Sequence, residues 1–112
     1  MPHDTRAFLH DILTAIGRIR RFTHQANFDR YLADEMLRAA VERQFEIIGE
    51  ALNQLQKADP ELAGTIPHYR RIIAFRNVLI HGYASIDHKL VWGVLETELD
   101  TLERAVKALL PE

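Results

Sequence analysis

The stretch Leu37-Arg38-Ala39-Ala40-Val41-Glu42-Arg43-Gln44-Phe45-Glu46-Ile47-Ile48-Gly49-Glu50-Ala51-Leu52-Asn53-Gln54-Leu55 decides the fold. Leu37, Val41, Phe45, Ile48, Leu52 and Leu55 fall three or four residues apart. On a helix they form one apolar stripe, with charged residues on the opposite face. A helix this long has to bury that stripe against other elements. The pattern extends from about Tyr31 to Lys57, and its first part, Tyr31 to Glu35, reads as a separable turn with Asp34 as a cap. Asp59-Pro60 and Gly64 to Pro67 break the pattern and read as a loop.

Working outward, three more segments show helical spacing. Upstream, Asp4 to His24 carries Phe8, Ile12, Ala15 or Ile16, Ile19 and Phe22 on one side, with Asp4 or Thr5 placed to cap it. His24 to Asp29 reads as a connection broken at Asn27. Downstream, Pro67 to about Ile80 places Pro67 near the first helical position, where proline is favoured. Ile72, Phe75 and Leu79 form its apolar side, and Gly82 is the expected stop. The last segment runs from Asp87 to about Leu110. Asp87 suits an N-cap, and Ile86 and Val91 sit in hydrophobic-staple positions. No segment alternates with the period of a strand. Four main helices joined by short connections predict an all-α antiparallel bundle, with residues 1–112 as one domain.

Composition sets limits. The chain has 112 residues, 47% of them hydrophobic and 27% charged, an ordinary globular balance. It has no cysteine, which excludes disulfides, thiolate metal sites and a cysteine nucleophile. No apolar run approaches the roughly 18 residues of a membrane span, and the first residues lack the apolar core of a signal peptide. A cytoplasmic location is the expectation, with no membrane partner. No His, Asp and Glu set has metal-ligand spacing, so neither metal nor cofactor is expected. The net charge is −2, so any basic surface for nucleic acid has to be local. Most of the positive charge is arginine, whose planar fork suits phosphate.

The densest polar cluster in an apolar setting is Arg76-Asn77-Val78-Leu79-Ile80-His81-Gly82-Tyr83. Asn77 and His81 are four apart and share a helix face. Arg76 is five before His81, roughly 140° round a helix of 3.6 residues per turn. Its long side chain recovers part of that offset, and a second copy related by a two-fold axis would supply the rest. Near neutrality an imidazole can both give and take a proton. A guanidinium can hold a phosphate, or the charge growing on it in a transition state, and Asn77 can orient either group. RNA carries its own nucleophile, the 2′-hydroxyl, so such a set can cleave it without metal, giving a 2′,3′-cyclic phosphate and a 5′-hydroxyl. The bland alternative is a histidine that caps the carbonyls at a helix C-terminus.

At these residues the chain resembles a known family. Arg76, His81 and Tyr83 match the Arg-x4-His-x-Tyr pattern of the HepT-like branch of the HEPN superfamily. The run Ala40 to Ala51, with Arg43 ahead of Glu46-Ile47-Ile48-Gly49-Glu50-Ala51, resembles that family's second signature. Asp34 to Leu37 and Asp87 to Trp92 are also similar to it. The likeness spans nearly the whole chain.

The resemblance implies a HEPN bundle of four to five helices that forms a homodimer. Its two Arg-x4-His segments would meet in a composite ribonuclease cleft. Arg76 and His81 would be the catalytic pair, with Asn77 beside them. The partner implied is a nucleotidyltransferase antitoxin of the MNT type, in a type VII toxin–antitoxin module of one-to-one or higher stoichiometry. It would attach AMP to Tyr83, placing a bulky anion two residues from His81, where it would block the cleft and repel RNA. Arg43, Glu46 and Glu50 either form the far wall of the cleft or serve packing, and Gly49 fits a close contact between helices. Trp92 and Tyr69 read as core or interface aromatics, and His68 and His88 as surface residues at helix starts. Family members that bind nucleotides or assist a nucleotidyltransferase without cutting RNA define the alternative function.

Overall fold

The computed structural model describes residues 3–111, and the reading of the extreme N-terminus falls partly outside them. Among the described residues there are six helices and no strand. The first, α1, spans His3–Phe22. A short α2, Phe28–Ala33, leads into the long α3, Glu35–Ala58. A four-residue α4, Pro60–Ala63, precedes α5, Tyr69–His81. A single 3-10 turn, Tyr83–Ser85, joins α5 to α6, His88–Leu109. Among the described residues no helix is long and apolar enough to cross a membrane.

The central element is α3, which packs along α1 on one side and α5 on another, while α6 closes against α1 and α2. All six apolar residues of the opening stretch enter the core: Leu37, Val41, Phe45, Ile48, Leu52 and Leu55. From α1 they meet Leu9, Ile12, Ala15, Ile16 and Ile19. Phe45 and Phe75 pack edge to face with ring centroids 5.3 Å apart, the geometry favoured by the ring quadrupoles, and so fix α5 against α3. This is the all-α bundle the sequence predicts.

Several boundaries differ from the sequence reading, each for a local reason. The separable first turn expected at Tyr31 to Glu35 is there, with Asp34 as the cap that accepts from the Leu37 backbone N–H at 3.0 Å, but its helix starts earlier, at Phe28. Asn27 is an N-cap as well as a breaker, accepting from the Arg30 N–H at 2.9 Å. The Asp59-Pro60 loop contains α4, because Asp59 caps it and Pro60 occupies its first turn. Pro67 lies outside α5: His68 has φ 61°, in the left-handed region, so the helix starts only at Tyr69. Thr5 is buried within α1 and its hydroxyl has no partner among the described residues, so it is not the cap. Leu9, not Phe8, is the deeply buried residue of the first turns.

Gly82 does end α5, by close approach rather than by a left-handed turn. Its φ is −102°. Its N–H donates to the Val78 carbonyl at 2.8 Å, and a Cβ there would stand 2.8 Å from that same oxygen. The chain then turns through Tyr83–Ser85 and enters α6 at Asp87, whose carboxylate accepts from the Lys89 and Leu90 N–H groups at 3.0 and 3.3 Å.

Candidate active site

Arg76 sits where α5 comes nearest to α3. A Cβ added at Gly49 would lie 2.2 Å from the Arg76 Cβ and 2.7 Å from its Cγ. Glycine at 49 is therefore what lets Arg76 lie flat on α3. The neighbouring Glu50 holds its head: Arg76 Nη2 donates to Glu50 Oε2 at 2.7 Å. Nη1 donates to Asn77 Oδ1 at 2.8 Å. The third donor, Nε, is buried without a partner. The guanidinium is thus fixed in direction from two sides, with 24% of the side chain exposed.

Beside it runs a groove of about 390 Å³ whose polar wall is Asp11, Arg43, Glu46, Glu50 and Arg76. Arg43 pairs with Glu46 at 3.4 Å. Three carboxylates line it beside two guanidiniums, so the groove has no net positive charge of its own. The structure brings Arg43, Glu46 and Glu50 to Arg76, as one wall of a shared groove.

It does not bring His81 into that groove. His81 is the last residue of α5, exposed, with no hydrogen-bond partner for its ring among the described residues. Asn77 is exposed, and Tyr83, in the turn beyond, is 79% exposed. Within one chain the cation is held on α3 while the imidazole and the phenol project outward at the helix end.

A second recess adjoins this end and was not read from the sequence. It holds about 280 Å³, and Arg38, Glu42, Tyr83, Ser85 and His88 are among its lining residues. Glu42 is half-buried, and burial raises its pKa above the ordinary value, with His88 and Arg38 opposing and Glu46 adding. Burial likewise raises Tyr31, helped by the charge of Glu42, and its hydroxyl has no partner. His88 Nδ1 is also buried without a partner, so His88 is not merely a surface residue. The signal available in the sequence was Glu42, Glu46 and Glu50 at four-residue spacing, which puts all three on one ridge of α3. Trp92 packs 5.2 Å from Tyr31 and 6.4 Å from Phe28, an interior support rather than a platform for bases. Among the described residues no cluster of His, Asp or Glu could hold a metal.

This bundle, with its arginine–histidine helix, falls in a class of ribonuclease-like helical proteins: residues 12–109 match the family described as "Ribonuclease HepT-like", and the chain belongs to it. It is 32% identical to the "Probable ribonuclease HepT" of Thermococcus cleftensis, over 92% of this chain and 93% of that one. It is also 32% identical to the "Putative RNase MJ1380" of Methanocaldococcus jannaschii, over 93% and 94% of the two chains. A longer relative from the same organism, "Gamma-glutamylcyclotransferase and putative RNase MJ0434", matches at 30% identity over the whole of this chain and half of its own length. No solved structure matches the chain.

Proposed function

We propose that this protein is a metal-independent endoribonuclease, the toxin of a toxin–antitoxin pair, working as a homodimer. One observation carries the reading. Arg76 is aimed and braced by Glu50 and Asn77, while His81, five residues on along the same helix, is exposed with its ring free of partners. Arg76 binds the scissile phosphate and offsets the charge that builds on it. His81 takes the proton from the 2′-hydroxyl or gives one to the leaving 5′-oxygen. The 2′-oxygen attacks phosphorus, the bond to the 5′-oxygen breaks, and the products are a 2′,3′-cyclic phosphate and a 5′-hydroxyl. Asn77 keeps the guanidinium in line.

One chain offers only part of such a site, which is the argument for two. Between α5 and α6 lies an apolar groove of about 310 Å³, lined in part by Phe75, Val78, Leu90 and Val94. Val78 and Leu90 are each 49% exposed. A two-fold contact along this side of α5 would lay the two copies of the helix side by side and bring their His81 rings towards each other. Tyr83, exposed two residues beyond His81, is open to a nucleotidyltransferase antitoxin, and an AMP group there would deny RNA the cleft.

The test is cleavage of total RNA in excess EDTA, wild type beside His81→Ala. Wild type is expected to cut and the variant to lose cutting while keeping its fold, since His81 is exposed. Full cleavage by His81→Ala would remove His81 from the mechanism. A second reading, a non-cutting partner of a nucleotidyltransferase, draws on the acid-rich groove beside Arg76 and the net charge of −2. An unmodified dimer that leaves RNA intact would establish it instead.

A further inference from the structure

The recess beside Tyr83 takes no part in the cleavage chemistry proposed above. Its two sides come from the first half of α3 and from the turn that follows α5. Glu42 lines it, faced by Arg38 and His88 but held by no direct hydrogen bond or ion pair among the described residues. Its carboxylate is therefore free to accept from a ligand that enters the recess. At the mouth stands Tyr83, an aromatic ring left 79% exposed. Arg38 has one guanidinium nitrogen tied to the Leu32 carbonyl and its other donors uncommitted. At about 280 Å³ the space is just below the range of drug-sized sites, which begins around 300 Å³, and suits a single planar ring system.

We propose that this recess is a nucleobase-binding site specific for guanine, with Tyr83 as the stacking face and the Glu42 carboxylate accepting the ring N1–H and the exocyclic N2–H. Proteins that read single-stranded RNA stack a splayed base on an aromatic ring and hydrogen-bond its pairing edge. Guanine is the common base that presents two adjacent donors on that edge, and two carboxylate oxygens match them. Adenine and cytosine each set an acceptor beside their one donor group there, and uracil flanks its single donor with carbonyls, so each would turn a lone pair towards Glu42. Arg38 at the rim supplies donors for the nucleotide's phosphate. The proposal names the nucleotide a ribonuclease would read next to its cut, and for that meaning it rests on the function proposed above. The binding itself is separable from cleavage.

The experiment is titration of the full-length protein with GMP, AMP, CMP and UMP, followed by calorimetry and by amide shifts of residues 38–42 and 83–88. GMP is expected to bind roughly tenfold more tightly than the others, the discrimination of one good two-point base contact. Glu42→Gln replaces one acceptor by a donor and should lose that preference. Tyr83→Ala should weaken all four nucleotides. Equal affinity for the four, or a Glu42→Gln protein that still prefers GMP, would overturn the proposal. Cleavage in EDTA is scored in parallel. A protein that selects GMP but leaves RNA whole keeps the base site and sinks the nuclease reading. One that cuts RNA without selecting GMP does the reverse.

Discussion

Gly49 and Arg76 show how one missing carbon sets a functional side chain. Gly49→Ala would gain about 1 kcal/mol of helix propensity. Against that, its Cβ would meet the root of the Arg76 side chain at 2.2 Å, an atom that cannot swing away unless α5 moves. Overpacking of this kind costs typically 1–3 kcal/mol, so the variant is expected to melt lower than wild type and to cut RNA poorly. A raised melting temperature would show that α5 can back away freely. Glu42 gives a prediction with a defined sign. Burial raises its folded pKa, so the folded protein holds a proton that the unfolded chain has released. Stability therefore falls as pH rises from the ordinary carboxylate range through the raised pKa. Glu42→Gln should melt higher than wild type at neutral pH, with the gain disappearing as pH is lowered below that range. A gain independent of pH would place its cause elsewhere.

At the scale of the element, helix ends decide what the site looks like. Asp34 ends α2 and caps α3, so one side chain sets the angle between them. Asp34→Ala is expected to cost about 1 kcal/mol, read as a lower midpoint in thermal unfolding, the usual value for a lost N-cap. An unchanged midpoint would mean the junction is held by Tyr31 and Trp92 alone. The long helices were legible in the sequence because each carries an apolar stripe at helical spacing. The short ones were not. Four residues at Pro60–Ala63 are too few to show a period, and the Asp-Pro that starts α4 is the same signal that stops α3. The start of α5 was misread because Pro67 suits a first turn, whereas the left-handed backbone at His68 comes from its surroundings. There Glu98 of α6 accepts from His68 Nδ1 at 3.0 Å and pairs with Arg71 at 3.6 Å.

For the whole molecule the question is how many chains make a site. The side of α5 that faces α6 leaves Val78 exposed, and Leu90 of α6 joins it. If that surface is the dimer contact, Val78→Asp should shift the protein to monomer in analytical ultracentrifugation and abolish RNA cleavage together. A charge desolvated at an interface is costly, whereas at an exposed monomer surface it is harmless, so the fold itself should survive. A Val78→Asp protein that stays dimeric would place the two-fold contact on another surface.

The sequence by itself determined the helical class and the core stripe of α3. It also determined the family, and with it the short list Arg76, Asn77, His81 and Tyr83. These follow from local spacing and residue type, which a chain carries wherever it folds. Only the tertiary structure decided that Glu50 grips Arg76, that Gly49 makes room for it, and that Glu42 is left without a donor beside Tyr83. Those facts depend on two helices approaching within a few ångströms. Sequence separation says nothing of that distance: residues 26 apart along the chain share one ion pair because the core between α3 and α5 closes to the thickness of a glycine.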